Sequence, residues 1–419
     1  MSPAPKKKKI GILSLGCPRN LVDSELLLSR LKGKNYSIVE IKDAEIGLVN
    51  TCAFIRAAKE ESIEAILDLL ELKKEGRLKK VIVCGCLPQR YRNELHKEFK
   101  EVDAFLGRLC LNHTERDYRL TPKHYAYLKI CEGCINNCSY CIIPSIKGGL
   151  ASRDMDSLVQ EAASLDKNGI KELNIIGQDI TLYGKDRYGA QKLNELIKKI
   201  ISATKGIKWL RLLYLYPSHI QDALLDLIAG EERICKYIDV PLQHINGRIL
   251  KKMNRHTSKG EILKLIAKIK KRIPGVVLRT SLMVGFPGET DKEFSELLDF
   301  VGEAKFERLG VFTYSSEEGT PAHGLEGQVP EKVKQERFDI IMKKQQEISL
   351  GVNAGFLGKK LEILIDEKGQ GYYLGRSFAD APEVDGNVFI NGSYKVKTGD
   401  FAVCRITDTL EYDLVGEPI

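Results

Sequence analysis

The sequence predicts an α/β protein in three parts: an open α/β domain, a partial (β/α)6 barrel and a small antiparallel β-barrel. Three observations carry this. Apolar strand-like runs alternate with amphipathic helical runs through most of the chain, the pattern of parallel sheets covered on both faces. The second series of this kind holds six strand candidates in roughly 190 residues, too few to close the usual eight-fold barrel. Past Gly358 the pattern changes to short alternating runs between turn-like glycines, with no helix of useful length.

In the first part, residues 1–109, the strand KIGILSLG (Lys9 to Gly16) leads to a helix from about Asn20 to Lys34, with Leu21, Leu27, Leu28 and Leu31 on its apolar face. Strand-like IGLVNTC (Ile46 to Cys52), a helix from about Ile55 to Glu75, strand-like KKVIVCGC (Lys79 to Cys86), a helix around Arg90 to Phe99 and the short run VDAFLG follow. Residues 110–124 are polar, include Thr121-Pro122, and read as a linker. The central part, 125–354, has strand candidates at Tyr125 to Cys131, Glu172 to Asp179, Trp209 to Leu215, Tyr237 to Leu242, Val276 to Gly285 and Arg308 to Tyr314. Helical segments separate them, and a long helix from Glu331 to about Asn353 leads into the third part, 355–419.

With 419 residues, 43% hydrophobic and 29% charged, the chain has the makeup of a globular protein of roughly two to three domains. No apolar run approaches the roughly 20 residues needed to cross a bilayer, and the start lacks a secretory apolar region. Eleven cysteines in that setting argue against a disulfide framework and for a reducing, cytoplasmic compartment. The basic run Lys6 to Lys9 reads as a solvated terminus in preference to a nucleic-acid arm. Net charge is +8 but uneven: residues 1–350 carry 58 Lys+Arg against 46 Asp+Glu, whereas 351–419 carry 7 against 11.

The cysteines fall into two trios. Cys134, Cys138 and Cys141 form CxxxCxxC in the loop after the first barrel strand. Three thiolates at these spacings can hold three irons of a cubane cluster and leave the fourth open. A zinc knot completed by Cys131, or a purely structural iron–sulfur cluster, are the alternatives. Cys17, Cys52 and Cys86 are 35 and 34 residues apart, yet each lies just past the carboxyl end of a strand, the edge where ligands gather in open α/β sheets. They can therefore converge on a second open cluster, the alternative being chance clustering of buried thiols. Cys84, Cys110, Cys131, Cys235 and Cys404 lie outside both trios, and Cys84 alternates with Cys86 along one strand, so one of the two should face the cluster.

Seven strings together carry a resemblance that runs through nearly the whole chain: LGCPRN (Leu15 to Asn20), NTCAFI (Asn50 to Ile55), GCLPQRY (Gly85 to Tyr91), EGCINNCSYCIIPSIKG (Glu132 to Gly148), DVPLQH (Asp239 to His244), RTSLMVGFPGET (Arg279 to Thr290) and YSSEEGT (Tyr314 to Thr320). The chain resembles the radical S-adenosylmethionine methylthiotransferases, which join an amino-terminal three-cysteine domain, a radical-SAM barrel and a TRAM barrel. The resemblance implies two 4Fe–4S clusters, one on each trio, with S-adenosylmethionine on the open iron of the Cys134–Cys138–Cys141 cluster and the upstream cluster handling sulfur. It also makes Tyr140, Gln178, Gln243, Arg279, Gly285 and Phe286 candidates for binding S-adenosylmethionine. Strand-to-loop capping by Gln178 or Gln243, a plain turn at Gly285 to Gly288, and pairing of Arg279 with a core acid stand beside those readings.

The family divides between enzymes acting on adenosine in transfer RNA and enzymes acting on ribosomal protein S twelve. An RNA-gripping TRAM barrel should be basic, and this one is acidic. That charge, and the string GRSFADAPEVDG (Gly375 to Gly386), resemble the ribosomal-protein-modifying branch, with Asp380, Glu383 and Asp385 as candidate docking residues for a basic protein. The implied reaction is methylthiolation of an aspartate β-carbon, with an electron donor such as flavodoxin or ferredoxin and a sulfur donor as further partners, and neither transfer RNA nor a membrane expected. Methylthiolation of transfer RNA and a non-catalytic, metal-containing ribosome- or RNA-binding protein are the competing readings.

Overall fold

A computed structural model describes residues 7–32, 35–109, 116–392 and 395–419. Lys6, Cys110, the first residues of the expected linker and the last residue of the helix expected to Lys34 lie outside the described residues. The chain forms two compact units: Met1–Thr121 with Cys131–Ser157 and Ser315–His323, and Pro122–Ile130 with Leu158–Tyr314 and Gly324–Ile419.

The first unit is built on a five-stranded, all-parallel sheet in the order Tyr36–Ile38, Lys8–Ser14, Ile46–Thr51, Lys80–Gly85, Ala104–Phe105. The outer strand Tyr36–Ile38 is too short and mixed to show a period in sequence. Helices Pro18–Leu31 and Arg56–Lys74 match the expected segments, while the stretch expected as one helix around Arg90 to Phe99 is two, Cys86–Arg90 and Arg92–Glu98, broken at Tyr91. Val49, Ile66, Leu69, Val81 and Val83 form the core beside the central strands, and Ile142 and Ile146, from beyond the CxxxCxxC loop, are part of the same core. Residues expected to belong to a linker are anchored: buried Glu25 pairs with Arg116 at 2.8 Å and accepts the Leu120 and Thr121 N–H groups.

The second unit contains six parallel strands in sequential order, Tyr125–Lys129, Glu172–Ile176, Trp209–Leu212, Ile234–Asp239, Val277–Val284 and Arg308–Thr313, the partial barrel that the sequence predicts. Ser258 and Thr290 begin two of its helices with capping boxes closed by Glu261 and Glu293. The third part closes into a five-stranded barrel, Lys360–Lys368, Tyr372–Arg376, Val388–Asn391, Leu414–Pro418 and Phe401–Thr409, around Ile363, Ile365, Ile390 and Cys404. It is not wholly antiparallel: the seam between Val388–Asn391 and Leu414–Pro418 is parallel.

Charge lines the amino-terminal ends of the six strands. Glu172 is fully buried between Arg211 at 2.9 Å and Arg376 at 2.7 Å, and Arg376 also grips Asp366. Glu172→Gln would leave two buried guanidinium groups short of their shared anion, so it should cost about 3–5 kcal/mol. Denaturant unfolding of the full chain measures this, and a loss below about 1 kcal/mol would place the pair in the class of exposed surface bridges.

Candidate cluster sites

The upstream trio follows from strand order. Lys8–Ser14, Ile46–Thr51 and Lys80–Gly85 are neighbours, so the loops that leave their carboxyl ends leave together. Cys17 caps helix Pro18–Leu31, Cys52 follows its strand directly, and Cys86 opens helix Cys86–Arg90. Side-chain amides pin the loops: Asn20 Nδ2 donates to the Leu15 and Thr51 carbonyls, and Asn50 Nδ2 donates to the Asn20 carbonyl. Ser62 brackets Cys52, donating to its carbonyl and accepting from its N–H, and Thr51 Oγ1 donates to the Cys84 carbonyl. Gly16 adopts φ +82°, and a Cβ there would lie 2.9 Å from the Cys52 sulfur. Backbone passes close to this thiol only because the residue is glycine.

Electrostatics ties the three thiols to one neighbourhood. Burial raises the Cys52 thiol, and Cys17 adds to the effect; burial pushes Cys86 up to about 12 with Cys52 and Cys17 adding repulsion. Burial also opposes ionisation of Cys17, yet Arg19, the Asn20 N–H and Lys147 together hold that thiol below its ordinary value. Cys84 is buried, with its thiol 3.5 Å from the Val49 carbonyl. Strand alternation is not what separates it from Cys86: the strand ends at Gly85, whose φ of +100° turns the chain before Cys86.

The CxxxCxxC loop belongs to the same unit as the upstream trio. Strand Cys131–Glu132 pairs with Ala151–Ser152 and closes the loop at its base, and the Cys134 N–H donates to the Gly148 carbonyl. Gly133, at φ +71°, admits the Gly149 carbonyl where any Cβ would collide. Cys141 is pushed up to about 12 by burial, then by Cys138 and Cys134, and is lowered by Arg19. Arg19 therefore acts on Cys17, Cys52 and Cys141, members of both trios. The ten described cysteines are free thiols, and among the described residues no three His, Cys, Asp or Glu are placed to grip a single ion. Two trios of free thiols beside glycines that keep side chains away fit two clusters better than one mononuclear site.

Sequence reasoning passed over Arg90 and Glu317. Arg90 Nη1 donates to the Ala53 carbonyl, next to Cys52, and pairs with buried Glu317 at 2.6 Å, which also holds Lys59 and Ser315. The adjacent acids in YSSEEGT, with basic residues on two upstream helices, were the available signal.

Tyr140 lies in the first unit and the other five cofactor candidates in the second. Gly285 turns at φ +73°, and Glu289 accepts both the Gly285 and Phe286 N–H groups while Arg337 pairs with its other oxygen at 2.7 Å. Burial pushes the Glu289 carboxyl up to about 7 against these donors. Phe286 is buried with its ring edge-on to Tyr314. Gln243 has φ +72° and bridges to the strand Val277–Val284 through Ser281 and Met283, while Gln178 precedes Asp179, whose carboxylate caps Ile180–Leu182 and meets His219. A groove of about 920 Å³ lined by Asn246, Arg248, Gly288 and Glu293 lies beyond this loop.

Three candidates are corrected. Arg279 pairs with Asp239 at 3.0 Å and Asp385 at 3.4 Å near the amino-terminal end of its strand, so its partners are core acids and not a cofactor carboxylate. Asp380 is 1% exposed and bound by Arg308, and the Asp385 carboxylate accepts from Tyr237 and the Ala381 N–H, so neither offers charge to a docking protein. Glu383 is exposed but accepts from the Tyr125 hydroxyl. Much of the acidity read as a docking face is internal, neutralising arginines.

His244 is fully buried, its Nδ1 accepting from the Asn246 N–H and its Nε2 3.8 Å from Glu289. Burial lowers it from 6.5 to about 4, so the unfolded chain takes up the proton first on acidification. Its contribution is complete above pH 6.5 and is lost as pH falls through about 4, up to about 3 kcal/mol. Unfolding free energies across that window should decline in the native chain and decline less in His244→Gln; parallel curves would refute the assignment.

Residues 128–301 match the radical SAM superfamily, 9–107 the uncharacterized protein family UPF0004, and 357–419 the TRAM domain. The chain is 46% identical over 98% of its length to the ribosomal protein uS12 methylthiotransferase RimO of Geotalea uraniireducens, covering 98% of that protein. It is 47% identical to the protein of the same name from Pelotomaculum thermopropionicum, over 98% of this chain and 99% of that one. Among solved structures, the radical S-adenosylmethionine methyltransferase TsrM from Kitasatospora setae, with cobalamin and a [4Fe-4S] cluster bound, shares the fold at a TM-score of 0.55 and 13% identity, over 90% of this chain and 82% of that one. Likeness at that level, end to end and through all three parts, places the chain in the RimO family of radical SAM methylthiotransferases.

Proposed function

We propose that the protein transfers a methylthio group to the β-carbon of an aspartate in ribosomal protein uS12. The observation that carries this is the presence of two separate thiol trios, each short of a fourth cysteine ligand, in one compact unit. A single trio would account for cleavage of S-adenosylmethionine and leave sulfur without a place. Cys134, Cys138 and Cys141 would hold one 4Fe–4S cluster and Cys17, Cys52 and Cys86 the other. Bound there, the clusters and S-adenosylmethionine supply reductive sulfonium cleavage, hydrogen abstraction from an unactivated carbon, and the sulfur and methyl groups.

The chain's own residues position and shield. Asn20, Asn50 and Ser62 hold the sulfur-side loops, Arg90 and Glu317 fix the segment 315–320 beside them, and Arg19 favours thiolate on both trios. Glu289 and Arg337 hold the Gly285 turn, which with Gln178 and Gln243 is our candidate contact for S-adenosylmethionine in the second unit, as Tyr140 is in the first. The names of the relatives support a protein substrate over transfer RNA. An electron donor such as flavodoxin or ferredoxin and a sulfur donor complete the partners, and a cytoplasmic setting suits the free thiols; among the described residues no helix is long and apolar enough to cross a membrane.

Anaerobic turnover of reconstituted enzyme, with uS12 and transfer RNA offered separately, tests the proposal. Mass analysis should find one sulfur and one CH2 gained on the protein, and product confined to RNA would overturn it. Alanine at Cys134, Cys138 or Cys141 should abolish reductive cleavage of S-adenosylmethionine. Alanine at Cys17, Cys52 or Cys86 should spare some cleavage and stop sulfur insertion. Gly16→Ala, which drives a methyl into Cys52, should lose roughly half the bound iron while keeping cleavage; full iron content would contradict the cradle at Gly16.

A further inference from the structure

A buried lysine beyond the second trio in sequence pairs with acids from the segments of both trios. Lys147 ends helix Ile143–Lys147, which starts two residues after Cys141, and its side chain is 5% exposed. Its ammonium is 3.5 Å from Asp23 and 3.2 Å from Glu132. Asp23 stands on the helix that Cys17 caps, and Glu132 precedes Cys134 by two residues. Arg108 fixes the Lys147 carbonyl from the first unit's own sheet domain. The ammonium acts on the Cys17 and Cys86 thiols as well as on the two carboxylates. One cation thus pairs with two acids, one on the helix of Cys17 and one two residues before Cys134, and joins the helix of one trio to the loop of the other.

An iron–sulfur cluster on three thiolates that also takes an anionic sulfur ligand concentrates negative charge where water is scarce, and buried charge needs a partner. We propose that Lys147 is a positioning residue that locks the Cys134–Cys138–Cys141 loop to the helix of Cys17 and supplies the cation that makes the upstream site receptive to anionic sulfur. The proposal rests on the two-cluster reading above.

The test uses the full chain with Cys134, Cys138 and Cys141 replaced by Ala, so that only the upstream trio assembles a cluster. Its midpoint potential is read by electron paramagnetic resonance during redox titration, and its affinity for hydrosulfide by spectroscopic titration. Lys147→Met should move the potential to more negative values and weaken hydrosulfide binding roughly tenfold. Asp23→Asn, which keeps the ammonium and removes an anion, should move the potential the other way. Lys147→Arg should restore both quantities to near those of the parent. Shifts of the same sign in Lys147→Met and Asp23→Asn, no shift in either, or an Arg variant that behaves like Met would overturn the proposal. Should Lys147→Met fail to fold, the Asp23→Asn and Lys147→Arg results decide it. Absence of a cluster in the parent, with Lys147 intact, overturns the two-cluster reading itself.

Discussion

The constraint on which the candidate upstream site depends is the pinning of three loops where three parallel strands end. Parallel strands place their carboxyl ends on one edge, but a loop leaving that edge is free to wander unless its backbone groups find partners. Asn20 and Asn50 provide those partners across the strands, each 1% exposed, each bonding a carbonyl of a neighbouring loop. Buried amides of this kind are costly to leave unmade, so the loops stay together. Gly16 and Gly85 then let backbone come within contact distance of Cys52 and Thr51, which bulkier residues would forbid. The thiols converge because hydrogen bonds and glycines leave the loops nowhere else to go.

Both trios, the six-stranded series and a small β-barrel were legible in the sequence, because strand runs, turn glycines and short cysteine spacing are local signals; the barrel's strand Leu414–Pro418 and its parallel seam were not. The upstream trio was legible only through strand ends. What could not be read was partnership at long range. Asp380 and Asp385 looked like surface acids because a sequence displays charge without displaying Arg308 or Tyr237 opposite it. Arg279 was ambiguous for the same reason, its two acids lying 40 and 106 residues away. Lys147, Arg90 and Glu317 were invisible as functional groups, since each gains its meaning from partners in separate segments.

The buried ion network of the second unit and the apolar cores do different work. Networks of this kind add less net stability than apolar seams of equal volume, yet loss of one member is expensive because its partners remain charged and dry. The carboxylates at Glu172, Asp366, Asp380 and Asp385 each answer an arginine from another element, and Arg376–Glu172, Arg308–Asp380 and Arg279–Asp385 join the third part of the chain to the six-stranded sheet by specific pairs. This also strips the barrel's acidity of its simplest meaning. Asp408, Glu411 and Glu417 remain exposed, whereas the acids in the 377–386 loop face inward or bond to tyrosine.

The parallel seam of the small barrel has a temporal consequence. Leu414–Pro418 is not an edge ornament: it sits between Val388–Asn391 and Phe401–Thr409 and closes the cylinder. During synthesis those residues follow every other strand of the barrel out of the ribosome. Until then the barrel has two open edges, and the loop bearing Asp380 and Asp385 has no finished support. Arg308 and Arg279, made 72 and 106 residues before their acids, must wait for them. The second unit therefore completes its interior only once Leu414–Pro418 is available, and that strand acts as the latch on a fold begun hundreds of residues before.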